Sequence, residues 1–189
     1  MILGSHNSWS YLKPTKWWMR PFAFMAKCQD CDIKTQYEKY NVKLFDLRVR
    51  FDKKCKVILC HGMAEYSANN LLNDLKYLND KGDVVIRYIL DLRGNCKDEL
   101  DQRNCFVEFL YTMQQKYPNL RFTCGRELPS GSKIIEDLTE FNIIEKYSSV
   151  CPPKLIDDWI PYLYAKLNNK KNRDLVSDND WLLIDFVNI

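Results

Sequence analysis

The sequence predicts an α/β chain whose parallel βα units close into a small, distorted or incomplete barrel of the TIM type. Three observations carry that expectation. Short apolar runs alternate with amphipathic stretches along most of the 189 residues, the rhythm of βα units on a parallel sheet. Chemically capable residues (His6, Arg48, His61) fall at or near the ends of several of those runs, as they do where strand ends surround a barrel mouth. The chain is short for eight complete βα units, so some helices must be missing or shortened, and 1–189 is read as one domain.

In chain order, Ile2 to Ser8 reads as a short strand ending in a turn. Trp9 to Met25 is aromatic, and Pro14 and Pro21 break any long helix there. Cys31 to Tyr40 is helical, with Ile33, Tyr37 and Tyr40 on one face. Val42 to Phe51 is rich in strand formers, and Asp52-Lys53-Lys54 turns into a strand from Cys55 to Cys60. Leu71, Leu72, Leu75 and Leu78 stripe the next helix, which Lys81-Gly82 stops before the strand Val84 to Leu90. A helix from about Asn104 carries Phe106, Phe109, Leu110, Met113 and Tyr117 at helical spacing and ends at Pro118.

Leu120 to Cys124 reads as a strand closed by Gly125. Ile134 to Ile144 shows both periods, and Lys146 to Val150 reads as a short strand. Pro153 to Asn169 is helical, broken or restarted by Pro161, and Lys170 to Asp180 is a polar connection. Trp181 to Val187 is a nearly continuous apolar run, expected of a strand buried on both faces.

Hydrophobic content of 46% with 28% charged residues is that of a soluble globular chain, and a net charge of +3 is too mild to argue for nucleic acid. No apolar stretch reaches the ~20 residues of a membrane span, and no basic-then-apolar leader opens the chain. Eight cysteines without a leader fit a reducing compartment better than a disulfide framework. A cytoplasmic monomer is expected, or a secreted one had a leader been removed. Cys28-Gln29-Asp30-Cys31 has CxxC spacing, but the ligands to complete a zinc site are not specified by spacing, so buried free thiols are expected.

The chemistry concentrates on the only two histidines. His6 lies in Gly4-Ser5-His6-Asn7-Ser8 and His61 in Leu59-Cys60-His61-Gly62, with Asp46 and Arg48 between them in Phe45-Asp46-Leu47-Arg48. Two imidazoles, a carboxylate and a guanidinium are what acid–base cleavage of a phosphodiester requires. Singly, each has a structural reading: a strand-end histidine is commonly just hydrogen-bonded, and Asp46 with Arg48 could form a simple buried ion pair. Asp185, in an apolar strand, needs a partner in either reading. Trp17, Trp18, Phe22 and Phe24 suit either the core or, flanked by Lys13, Lys16 and Arg20, the rim of a peripheral membrane surface.

Four segments, GSHNS (4–8), FDLRVR (45–50), LCHG (59–62) and WLLIDFVN (181–188), resemble the X-type catalytic domain of phosphatidylinositol-specific phospholipase C, the bacterial form more than the animal one. The resemblance implies a distorted, incomplete parallel barrel. It implies that His6 is general base on the inositol 2-hydroxyl and His61 general acid on the glycerol oxygen. Asp185 then orients His6, and Asp46 and Arg48 are the family's Asp-x-Arg pair. A phosphatidylinositol-type phospholipid would yield diacylglycerol and an inositol cyclic phosphate.

One position departs: Asn7 stands where bacterial members carry Asp. The calcium-dependent animal enzymes carry Asn there as a metal ligand, but also an acid where this chain has Arg48. A guanidinium in the place of calcium implies no metal and no other cofactor. An amide at Asn7 cannot supply the negative charge that would raise the pKa of His61. Arg87, Arg93 and Arg126 are candidates to touch the head group. Other substrates stay open (a glycerophosphodiester, a glycosylated inositol anchor, a cyclic nucleotide), as does a catalytically weak lipid- or phosphate-binding module, which Asn7 favours.

Overall fold

Strand β2 (Leu44–Phe51) is buried along its whole length, and the sheet is arranged on it. The computed structural model of the chain describes residues 1–93, 99–128, 134–138, 140–147 and 160–189. Among these, nine strands form one curled sheet, a half-barrel. Its order runs β7 (Ile134–Leu138), β6 (Arg121–Glu127), β5 (Val85–Asp91), β2, β1 (Ile2–Ser5), β9 (Trp181–Ile184), β8 (Ile143–Lys146). The neighbours are parallel from β6 across to β8, and β7 lies antiparallel to β6. The barrel-like α/β class predicted from the sequence is the one observed.

Two strands share one edge of β2. Strand β1 pairs with its beginning, at Leu44 and Phe45, and β3 (Val57–His61) pairs with its end, at Val49 to Phe51. Because β3 is antiparallel to β2, it runs back toward the end of β1, so the residues that follow β1 and close β3 meet head to head. The expectation of parallel strands is corrected here. Residues 52–56 are too few for a parallel crossover, which takes a dozen residues or more, and only a hairpin can close. Strand β4 (Ala64–Tyr66) then folds back on β3.

Alternation divides the side chains into two sets. Phe45, Leu47, Val49, Ile86, Tyr88, Leu90, Leu182 and Ile184 face outward into the main core. Helices α1 (Ile33–Tyr40), α2 (Leu71–Lys81) and α3 (Glu99–Lys116) cover that face with Ile33, Leu71, Leu75, Leu78, Phe106 and Met113. Each fully buried leucine of α2 contributes roughly 1.5–3 kcal/mol, and Gly82, in the left-handed region at φ 74°, ends that helix. The inner set begins with an apolar floor, Leu44, Val85 and Leu183. At Gly4 any side chain would press on Leu44 and Leu183, at 3.0 and 3.1 Å. Above this floor the inner positions turn polar.

Several boundaries differ from expectation. Strand β6 continues through Gly125 to Glu127, because Gly125 is needed where β7 crosses close: a Cβ there would lie 2.6 Å from the Ile135 carbonyl oxygen. Helix α3 begins at Glu99, a turn earlier than the apolar spacing implied. Helix α4 (Pro161–Asp174) takes Pro161 in its first turn, where the missing N–H costs nothing, and absorbs part of the polar stretch after Lys170. The proposed strand at 146–150 ends at Lys146 in β8, and its residues 148–150, like 153–159 of the proposed helix, lie outside the described residues. Cys55 and Cys105 are joined in a disulfide, 50 residues apart, which overturns the expectation of reduced thiols at those two positions.

Candidate active site

The first polar layer above the floor is read directly from the register. Asp46 on β2 is level with Arg87 on β5 and Thr123 on β6. The residues following β1 and β9, His6 and Asp185, continue the row. His6 Nδ1 lies 2.6 Å from Asp185 Oδ1, with both side chains buried. The His61 ring stands edge-on to the His6 ring with centroids 5.3 Å apart, as the shared edge of β2 requires.

Local backbone holds the two rings. Gln29, fully buried, donates to the carbonyls of His6 and Ile184, both at 3.1 Å, and accepts from the Val187 N–H, so the ends of β1 and β9 are clamped together. Asn7 turns the chain with φ 41°, a conformation that Asn tolerates. Its N–H donates to Asp46 Oδ2 at 2.9 Å. His61 Nδ1 donates to the Ala26 carbonyl at 3.0 Å, which leaves Nε2 as the nitrogen free to work.

Charge is balanced by pairing. Arg48 Nε donates to Asp46 Oδ2 at 2.9 Å, and its Nη1 meets Glu127. Arg93 binds Asp91 at 2.9 Å and Glu127 at 3.0 Å, while Asp91 also accepts from the Gly62 N–H beside His61. Arg87 is held by Glu136 and Glu145 and lies 3.6 Å from Asp46. Yet several buried atoms here find no hydrogen-bond partner among the described residues: His6 Nε2, Asn7 Nδ2, Arg48 Nη2 and Arg87 Nη1. Their residues group around the Asp46 carboxylate. Asp46 Oδ1 is open there too, so three donors and two acceptors converge and match a ligand that carries both anionic oxygens and hydroxyl groups.

Burial, and then the Arg48 guanidinium, hold the His6 pKa well below the ordinary imidazole value. The ring is therefore neutral, and Asp185 fixes the tautomer with the proton on Nδ1 and the lone pair on Nε2. Burial, then Arg93 and Arg48, push His61 down to about 3, with Asp91 opposing. The Asp46 carboxyl is lowered: burial works against ionisation, but Arg48 and Arg87 outweigh it.

Of the residues singled out in the sequence, His6, Asn7, Asp46, Arg48, His61 and Asp185 come together, and Arg87 and Arg93 border them. Arg126 does not. It alternates with Glu127, points to the opposite face of β6 and pairs with Asp137 on β7, which corrects its assignment to the head-group set. Trp17, Trp18, Phe22 and Phe24 are exposed, at 77, 45, 54 and 50%, on a 3₁₀ segment, Trp17–Met25, that anchors itself through buried Met19. Among the described residues, no helix is long and apolar enough to cross a membrane.

Glu127, Glu145, Gln29 and Tyr147 were missed. Glu127 was legible once β6 is carried past Gly125, since it shares the inner parity of Thr123. The Tyr147 ring stacks on His6 with centroids 3.8 Å apart, and the Arg48 guanidinium lies 5.7 Å from its centre.

No family model matches the sequence, and no curated protein does. Solved structures do. Two structures of Staphylococcus aureus phosphatidylinositol-specific phospholipase C, from work on modulation of its membrane binding, align with TM-scores of 0.64 and 0.60 at 16 and 17% identity. Each alignment covers 98% of this chain and 85% of that one. A double mutant of the same enzyme gives a TM-score of 0.62 at 17% identity, covering 98% of this chain and 84% of that one. The half-barrel built on β2 is thus the fold of the bacterial phosphatidylinositol-specific phospholipase C.

Proposed function

We propose that the chain is a phosphodiesterase, a phosphorus–oxygen lyase that cleaves phosphatidylinositol-type lipid by acid–base catalysis between His6 and His61. The observation that carries this is the buried His6 ring, oriented by Asp185 at 2.6 Å and faced by a second imidazole at 5.3 Å. His6 Nε2 takes the proton of the inositol 2-hydroxyl, whose oxygen attacks phosphorus. Negative charge gathers on the non-bridging oxygens, where the open Nη2 of Arg48 and Nη1 of Arg87 can donate. His61 passes a proton from Nε2 to the departing glycerol oxygen. The products are an inositol cyclic phosphate and diacylglycerol, and Asp185 stabilises the imidazolium that forms at His6.

The low pKa of His61 makes substrate part of the acid. A bound phosphodiester anion offsets the Arg93 and Arg48 charges that depress this ring, so the acid is protonated most readily with lipid in place. Arg48, held by Asp46, supplies the positive charge that calcium would otherwise bring, and the reaction needs no metal. The exposed aromatic residues of the 3₁₀ segment, with exposed Lys13, Lys16 and Arg20 around them, suit docking on an anionic bilayer.

A second reading, a phosphate- or lipid-binding module of low turnover, is favoured by Asn7, whose amide brings no charge to the acid. Vesicles containing phosphatidylinositol, followed by phosphorus NMR, decide between the two. Appearance of a cyclic phosphate supports the lyase; binding without turnover supports the module; cleavage of only another phosphodiester keeps the chemistry and changes the substrate.

A further inference from the structure

The site holds a ligating group that acid–base chemistry does not use. Cys28 is fully buried, and its Sγ lies 3.7 Å from His61 Nδ1. One nitrogen of His6, one of His61 and this sulfur all lie within 4.8 Å of one another. His6 already has a carboxylate on Nδ1 and a buried, unpartnered Nε2, the arrangement in which a second-shell acid orients an imidazole toward a metal. One sulfur and two imidazoles form a donor set for zinc, with a fourth position left open, and are the wrong set for calcium, which takes oxygen ligands.

The geometry points to a zinc-binding site formed by His6, Cys28 and His61, whose occupation shuts down the reaction proposed above. Ligand atoms around tetrahedral zinc lie roughly 3.3–3.8 Å apart, given bonds of about 2.0 Å to nitrogen and 2.3 Å to sulfur. The His61–Cys28 pair, at 3.7 Å, already meets that spacing, and the remaining pairs, within 4.8 Å, have at most about 1.5 Å to close. On binding, Cys28 loses its thiol proton to solvent. His61 gives up its bond to the Ala26 carbonyl, carries its proton on Nε2 and ligates through Nδ1. His6 keeps its proton on Nδ1 toward Asp185 and ligates through Nε2. One proton leaves per metal bound. Burial, then the charge of Asp185, hold the free Cys28 thiol protonated, so without metal it is inert. With Nε2 of the base occupied, the inositol hydroxyl has no proton acceptor.

The inhibitory part rests on the acid–base reading, whereas the site itself does not. Cobalt titrated into the purified full chain without substrate should give a thiolate-to-cobalt charge-transfer band at one metal per chain, bleached by zinc. The band should persist in Cys31→Ser and vanish in Cys28→Ser. X-ray absorption of the zinc-loaded wild type, which needs no variant to fold, should show one sulfur and two nitrogens in the first shell. No band in the wild type, a band undiminished in Cys28→Ser, or a shell without sulfur overturns the site. Zinc should block lipid cleavage over the concentration range that bleaches the cobalt band; cleavage that continues with the site filled overturns the inhibition. A chain that binds cobalt in this way but cleaves no phosphoinositide keeps the metal site and loses the acid–base reading.

Discussion

Tyr147 lies flat on His6, its ring plane 10° from parallel. His6 Nε2 is also buried, so the groups around that ring, Tyr147 on its face among them, must give way before a reagent reaches it. A stacked pair of this kind contributes about 0.5–1.5 kcal/mol, equivalent to about 2- to 10-fold in the population of the open state. Tyr147→Ala should therefore speed modification of His6 by diethyl pyrocarbonate by that factor. A rate equal to that of the wild type would show that other groups do the covering.

The proposed mechanism gives the two imidazoles separate proton transfers. His6→Ala and His61→Ala should each lower turnover by roughly 10²–10⁴-fold, with unchanged far-ultraviolet circular dichroism. A calcium chelator should not lower the wild-type rate. Retained activity in either variant removes the role given to that ring.

His61 also predicts a pH dependence of stability. Its folded pKa, near 3, lies below the unfolded value near 6.5, so between those limits the unfolded chain binds the extra proton. Stability is thus full above about pH 6.5 and is lost as pH falls toward 3, at up to about 1.4 kcal/mol per pH unit. Glu127 and Glu136, raised chiefly by burial, act in the opposite sense, so comparison with a variant isolates the ring. By urea unfolding, wild type should lose about 2 kcal/mol more than His61→Gln between pH 7.5 and 5. Equal losses would mean that the ring is not held neutral.

Asn7 is the position where one atom changes the electrostatics. Asn7→Asp keeps the left-handed turn, which Asp tolerates, and places a negative charge near the histidine pair. Turnover should rise, and the pH–rate profile should show the acid titrating at higher pH. A profile identical to wild type would mean that this side chain has no part in protonating the leaving group.

Trp17→Ala combined with Trp18→Ala should weaken binding to anionic vesicles while cleavage of a soluble substrate stays close to wild type. Both side chains are exposed, so their loss leaves the main core intact. Equal loss of both readouts would assign the pair to catalysis or folding.

What could be read from the sequence was whatever depends on a local pattern. The leucine stripe and Gly82 defined α2, and the apolar run at Leu182 to Ile184 announced a strand buried on both faces. The two histidines and Asp185 are legible because each sits at a strand end, whereas Asp46 and Arg48 lie inside β2 and are marked by their charge in an otherwise apolar strand. Pairings between distant segments were harder. A stop at Gly125 makes Glu127 a loop residue by pattern, and only the strand that continues through it shows that Glu127 faces inward and Arg126 outward. Tyr147 is one of 11 tyrosines, and nothing local separates a ring that stacks on the base from one that fills the core. The short connection after Phe51 did encode the antiparallel hairpin through its length alone, and a stricter reading of 52–56 would have reversed β3.

The pairing of β1 with β9 has a consequence for biosynthesis. The carboxylate that steers His6 comes 179 residues later in the chain. While a ribosome is still translating, β1 is an unsheltered edge and its imidazole has no orienting acid. A nascent or prematurely terminated product ending before Trp181 would hold nearly every other group of the candidate site and yet lack the carboxylate on His6 Nδ1. The pairing of β9 with β1 completes the His6–Asp185 contact and also covers the edge on which incomplete copies could stick to one another.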